Sequence, residues 1–335
     1  MRADIFQSLC LSLFAPVWAR STYRFTGNPY RSTTDVARSA NLISYNQTRS
    51  SSNPPPFGTE FYYPEKDGVY PLVIFLGGVY GLVPGNIYDE YLSALSRKGF
   101  VIASSTAVGH MRDMKEMEIW NHQFDWNVVN ANTLLQEFAE ESSHLSPKQL
   151  DIEIDPTKIM VACQSAGCEV LKYLANEKTD YVLAYHMLDP VPGLGQSSQE
   201  IVNHQVVTSA GVMIQSTEFC GPCCLNKWAN QPIWDAFTSN DVKMFEDQLH
   251  TGHCSCLDVA SAKACSFVCN AEEEYMTLPY LKKVHTCDTA KATAFFTDAI
   301  WNDSSMRTYY QESNKHCDVE LVDPDTMRCQ GPKCQ

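Results

Sequence analysis

The chain has 335 residues, 44% of them hydrophobic and 19% charged, which is enough to bury a full core in one large domain or two small ones. Its formal net charge of −14 argues against a nucleic-acid or anionic-membrane partner, because both would repel it. No apolar run approaches the roughly 18 residues needed for a transmembrane helix, so no spanning segment is expected.

The first residues, "MRADIFQSLCLSLFAPVWARS", read as a secretory signal over 1–19. Arg2 precedes an apolar stretch from Ile5 to Val17, and Val17 and Ala19 suit cleavage after Ala19. Gln7, two serines and Asp4 interrupt that pattern, and a frayed hydrophobic tail is the competing reading. Residues 20–58 form a transit-like or lead-in segment with arginines at 20, 24, 31, 38 and 49, many Ser and Thr, and one acid, Asp35. "LFAP" ahead of it resembles the Phe-containing junction of plastid precursors in algae with secondary plastids. The sequons at Asn46 and Asn302 fit passage through the secretory pathway, leading either outside the cell or into a plastid.

After the breaker cluster "SSSNPPPFG" (50–58), "TEFYYP" and "VYPLVIFL" predict strands, the second a continuous apolar run of the kind found in a buried sheet. Residues 87–99 have helical spacing and end on Gly99, a favourable residue just past a helix. "FVIASS" (100–105) predicts a strand and 117–140 a long helix. Then come the strand "KIMVAC", a helix from about Ala166, and the strands "YVLAYHML" (181–188) and "AGVMIQS" (210–216). Strands alternating with helices imply βαβ units and a mostly parallel sheet, hence an α/β domain over 59–300 with a Cys-rich appendage over 301–335.

Fourteen cysteines are present, eleven of them within residues 220–334. Cys220, Cys223 and Cys224, and then Cys254 and Cys256, lack a second CxxC at zinc-finger spacing, so disulfides are expected rather than a metal site.

The chemistry centres on "KIMVACQSAGCEVLKYLAN" (158–176). A strand that gives way to a helix through Cys163-Gln164-Ser165-Ala166-Gly167 has the form of a nucleophile elbow, G-x-S-x-G, with Cys163 in place of the first glycine. A serine needs a base to take its proton and an acid to hold the base, in the chain order Ser, acid, His on an α/β-hydrolase sheet. Asp189, at the end of "YVLAYHMLD", is the candidate acid, with Glu218 as rival. His253 in "LHTGHCSCLD" is the candidate base, with His250 as rival, and Gly252 favours His253 by permitting a tight loop. His186 is expected in the core, and His110, His122, His144, His204, His285 and His316 at the surface. The oxyanion donors expected are the N–H of Ala166 and an N–H in "GGVYGLVPG" (77–85), Val79 first and Tyr80 after it.

With these residues in place the chain resembles the chlorophyllase family of α/β-hydrolases, over about 59–270, and more distantly the platelet-activating-factor acetylhydrolases and cutinase-like polyesterases. "PLVIFLGGVYG" is similar to the family's strand and "LHG" oxyanion loop, "LSRKGFVIASS" to its "SHGF" helix end, and "LDPVPG" to its "DPV-G" acid motif at Asp189. "TGHCSCLD" is similar to the segment that carries the family histidine, here His253. The elbow departs from the family: "CQSAGC" stands where chlorophyllases show G-H-S-R-G-G. The resemblance implies a carboxylic ester hydrolase with a small, hydrophobic ester substrate and no cofactor or metal, cleaving chlorophyll to chlorophyllide and phytol. The alternatives are a secreted lipid or polyester carboxylesterase, and an inactive binding protein of the same fold.

Overall fold

The computed structural model describes residues 41–45, 58–64, 66–106, 120–132, 151–177, 182–191, 205–219, 230–239, 241–262, 277–301 and 328–330. The signal, both sequons, the cysteines at 220–224, and His110, His144, His204 and His316 lie outside the described residues, as do the ends of the helix expected over 117–140.

The apolar, β-branched runs become strands of one nine-stranded sheet, in the order β1-β2-β4-β3-β5-β6-β8-β10-β11. These are β1 (Asn41–Tyr45), β2 (Gly58–Tyr63), β3 (Gly68–Leu76), β4 (Val101–Thr106), β5 (Ile152–Gln164), β6 (Val182–Leu188), β8 (Gly211–Phe219), β10 (Lys243–Gly252) and β11 (Arg328–Gln330). From β4 through β10 every neighbouring pair is parallel, while β1, β2 and β11 are added by antiparallel pairing. Two short strands, β7 (Val206–Thr208) and β9 (Phe237–Ser239), pair with each other apart from this sheet.

Central strands alternate between two cores, as their period of two requires. Leu72, Ile74 and Leu76 of β3 and Ile159, Val161 and Cys163 of β5 face one side. There they meet helices α3 (120–132), α4 (Gly167–Glu177) and α5 (Asn230–Ala236) through Trp120, Leu171, Leu174 and Trp234. Val73, Phe75, Met160 and Ala162 face the other side. They are covered by α2 (Asp89–Arg97) and α6 (Leu278–Trp301) through Tyr91, Leu95, Leu281 and Phe295. A four-residue helical turn, α1 (Gly78–Gly81), and a 3-10 turn (Gly85–Tyr88) connect β3 to α2. The result is an α/β architecture, a mostly parallel sheet between two helical layers. Gly99 closes α2 at φ +98°, as expected of that position.

Two short strands extend the sheet at its edges. Within the lead-in segment, β1 pairs with β2. Within the tail, β11 pairs with β10, so part of the presumed appendage is an edge strand of the sheet itself. Among the described residues no helix is long and apolar enough to cross a membrane.

Candidate active site

Parallel strands end on the same edge of a sheet, and their carboxyl ends supply the crevice where such folds place chemistry. β5, β6 and β10 deliver Ser165, Asp189 and His253 there. Ser165 follows β5 directly, at φ +56°, a left-handed conformation uncommon outside glycine. Its backbone is fixed from both sides: Ser165 N–H donates to Leu188 O at 3.1 Å, and Val191 N–H donates to Ser165 O at 3.3 Å. Retention of Gly167 has a steric reason. A Cβ there would lie 2.3 Å from Gly77 O and 2.6 Å from Leu76 O, both backbone atoms that cannot swing aside.

Ser165 Oγ is 2.8 Å from His253 Nε2, and His253 Nδ1 is hydrogen-bonded to Asp189 Oδ2. The carboxylate can only accept, so Nδ1–H donates to Asp189, which leaves Nε2 to accept the Ser165 hydroxyl proton. Asp189 sits at φ +40°, and its second oxygen accepts the Thr217 N–H at 3.1 Å and Asn230 Nδ2–H at 2.9 Å. Burial alone would raise the Asp189 carboxyl, but the charge and hydrogen bond of His253, with Asn230 and the Thr217 N–H, hold it below the usual range. The three candidates therefore converge, and His250, itself at φ +56°, is not part of this hydrogen-bonded series. The side chain of the rival acid Glu218 lies outside the described residues.

The Ala166 N–H and the Val79 N–H donate to no other group among the described residues. Val79, β-branched, holds φ +53°, a strained backbone of the kind found at functional sites. The preceding residue is held by a side chain: Gly78 N–H donates to Tyr88 Oη at 2.8 Å.

The elbow's departure from glycine also finds its reason. Cys163 forms a disulfide with Cys168, joining the end of β5 to the first turn of α4 across the candidate nucleophile. The sequence placed disulfides at 220–334; there, Cys254 and Cys287 are disulfide-bonded and Cys256 is a buried free thiol. Burial and the nearby carboxylates of Asp288 and Asp189 push the Cys256 thiol well above its usual value.

Histidine placement is mixed. His122 is exposed and His186 is fully buried, as expected, with burial pushing the latter down to about 4. His285 is a correction: it is 5% exposed and braces the His253 loop from α6. Its Nε2–H is shared between Ser255 O at 2.9 Å and Leu257 O at 3.0 Å, while Nδ1 meets Glu90 Oε2 at 2.7 Å. Burial pulls its pKa down, but the hydrogen bond and charge of Glu90, with Asp288 and Asp258, raise it overall. Sequence reasoning also missed Asn230, Tyr88 and the part played by Gln164. Only Gln164 carried a signal, its place directly before the serine.

An activatable hydroxyl, a base, an ionised acid and backbone N–H groups without a partner among the described residues together can perform nucleophilic substitution at a carbonyl. Comparison of the chain with protein-family models finds no match, and comparison with curated proteins finds none either.

Proposed function

We propose that this chain is a serine ester hydrolase of the α/β-hydrolase fold, chlorophyllase-like, acting on a hydrophobic carboxylic ester. The observation that carries the reading is the hydrogen-bonded series Ser165–His253–Asp189 at three strand ends. The parallel strand order and the strained Ser165 backbone support it further.

In this mechanism Ser165 Oγ attacks the ester carbonyl carbon as its proton passes to His253 Nε2. The Ala166 and Val79 N–H groups take the negative charge that develops on the carbonyl oxygen, each contributing roughly 3–4 kcal/mol. Asp189 stabilises the imidazolium without itself taking the proton. His253 then protonates the departing alcohol, leaving an acyl-enzyme. Water, deprotonated by the same imidazole, attacks the acyl carbon and releases the acid and Ser165.

Chlorophyll as the ester rests on the sequence motifs, "LDPVPG" above all. A secreted carboxylesterase is the second reading, favoured by the "CQSAGC" elbow and by disulfides at Cys163–Cys168, Cys254 and Cys287, which fit an oxidising compartment. A secretory route, to the exterior or a plastid, is proposed with either. An inactive binding protein would not need a charged acid behind a correctly ordered imidazole.

The test is incubation of the protein and its Ser165→Ala variant with chlorophyll a and with a short p-nitrophenyl ester. Chlorophyllide from the wild type alone would support the chlorophyllase-like reading. Ester cleavage without chlorophyllide would support the carboxylesterase, and no turnover of either by folded protein would refute hydrolysis.

A further inference from the structure

Between the donor loop and the base lies a buried chain of polar groups that the proposed proton transfers do not use. Gly78 N–H donates to Tyr88 Oη at 2.8 Å, and Tyr88 Oη–H donates to Gln164 Oε1 at 2.9 Å. Gln164 Nε2–H donates to the backbone carbonyl of His253 at 3.1 Å, and the same nitrogen lies 3.4 Å from His253 Nε2. Tyr88 is wholly buried and Gln164 nearly so, so water does not compete for these bonds. The phenol ring is fixed by an edge-on contact with Phe75, their centroids 4.8 Å apart.

The chain of bonds starts one residue before Val79, passes through the residue directly before Ser165, and ends on His253. It therefore touches all three parts of the proposed machinery. It also accounts for Gly78: a Cβ there would lie 2.6 Å from Gln164 Oε1 and 3.4 Å from Ser165 Cβ. Any side chain at position 78 would push the amide out of the bridge. Tyr88 and Gln164 are 76 residues apart, and Gln164 and His253 are 89 apart, so local folding alone does not set this register.

Resting on the serine hydrolase reading, we infer that Tyr88 and Gln164 are positioning residues, a hydrogen-bonded strut that holds the Gly78–Val79 donor loop at fixed separation from the His253 loop. Tyr88 touches no reacting atom; Gln164 approaches one, His253 Nε2, at 3.4 Å, while its closer bond is to the His253 carbonyl. The strut acts by keeping the oxyanion donors where charge develops while the imidazole cycles between its neutral and protonated forms. A misplacement of the order of 1 Å at such a site is enough to cost about a hundredfold in rate.

The test uses Tyr88→Phe, Gln164→Leu and the double variant, assayed with a p-nitrophenyl ester and an alkyl boronic acid. In the boronate adduct the Ser165 oxygen donates its electron pair to boron, the hydroxyl proton passes to His253, and a tetrahedral anion occupies the donor site. Expected for Tyr88→Phe is a kcat lower by ten- to a hundredfold, KM within threefold, and boronate affinity weakened by the same factor as kcat. The double variant loses no more than the worse single one, because either substitution already breaks the strut. Gln164→Glu provides a second route should Tyr88→Phe fold poorly. It keeps the acceptor for Tyr88, loses the donor to His253 O, and so lowers kcat and boronate affinity together.

A role confined to folding would lower the thermal midpoint and leave kcat of the folded fraction and boronate affinity unchanged. That result, a loss confined to KM, or losses that multiply in the double variant would each overturn the strut. A wild type that neither turns over ester nor binds boronate would overturn the hydrolase reading and the strut with it. A reactive wild type matched by all its variants would overturn the strut alone.

Discussion

Breaking the Cys163–Cys168 disulfide tests whether the elbow needs covalent closure. The two cysteines are five residues apart in sequence, so the bond closes a loop of six residues including both ends. Chain-entropy arithmetic for so short a loop gives about 7 cal/mol/K, or about 2 kcal/mol at 25 °C. Both sulfurs are buried in the core beneath the elbow, and each one removed adds on the order of 1 kcal/mol. Cys163→Ala should therefore cost about 3 kcal/mol and the double Cys163→Ala, Cys168→Ala variant about 4 kcal/mol. Most of the loss appears in the first substitution because it already opens the bond. By calorimetry, the first substitution should lower the thermal midpoint by roughly 6–12 °C. The left-handed Ser165 backbone is no longer closed from beneath, so kcat for a p-nitrophenyl ester should fall about tenfold with KM little changed. Two equal steps in stability would reduce the disulfide to its packing volume. An unchanged kcat in both variants would refute the claim that it holds the serine.

Other perturbations follow from the same contacts. Asn230→Ala removes a 2.9 Å hydrogen bond to the Asp189 carboxylate and should lower kcat/KM by about ten- to a hundredfold, read by steady-state kinetics; a change below twofold would show the acid needs no such support. Gly167→Ala drives a Cβ to 2.3 Å from Gly77 O and should cost roughly 1–3 kcal/mol and most of the activity together, checked by denaturant melts alongside turnover. Glu60, which burial and Asp89 raise from 4.5 to about 7 against the Asn86 N–H, binds its proton more tightly in the folded state. Stability therefore falls as pH rises from about 4.5 to 7 and stays lower above that. Removing this difference with Glu60→Gln should leave stability little changed near pH 4.5 and raise it by up to ~3 kcal/mol at pH 8, with parallel melting curves at all pH values as the contrary result.

How much of this was legible in the sequence depended on whether apolar pattern reported burial. β3, β5 and β6 are apolar runs buried at their carboxyl ends, and each was readable as a strand with its candidate residue at the end. α6 was not, because its inner face carries His285, Asp288, Lys291 and Asp298 as well as apolar residues. Lys291 pairs with Glu246 of β10 inside the protein, and Asp288, pushed up to about 6 by burial, accepts from Gln248 of β10 at 2.6 Å. These polar pairings erase the periodicity of both elements, and β10 was visible only as a short strand-like stretch before His253. The same cause hid His285, whose polar neighbours in sequence pointed to the surface.

The meeting of Ser165, Asp189 and His253 was legible because a serine nucleophile would constrain both residue type and chain order. Asn230, Tyr88 and the Cys163–Cys168 bond were not, since each acts through a partner that only the folded chain brings near. In the sequence Cys163 only stands in place of a glycine, whereas its bond to Cys168 makes it the attachment point of the elbow.

The most direct test of the central claim is covalent trapping. Folded protein would be treated with a fluorophosphonate, digested, and mapped by mass spectrometry beside the heat-denatured chain and the His253→Ala variant. The account predicts a phosphonyl adduct on Ser165 of the folded wild type, with fluoride displaced and the hydroxyl proton taken by His253, and none on either control. A folded wild type without adduct, or labelling that survives loss of His253 at the same rate, would contradict it.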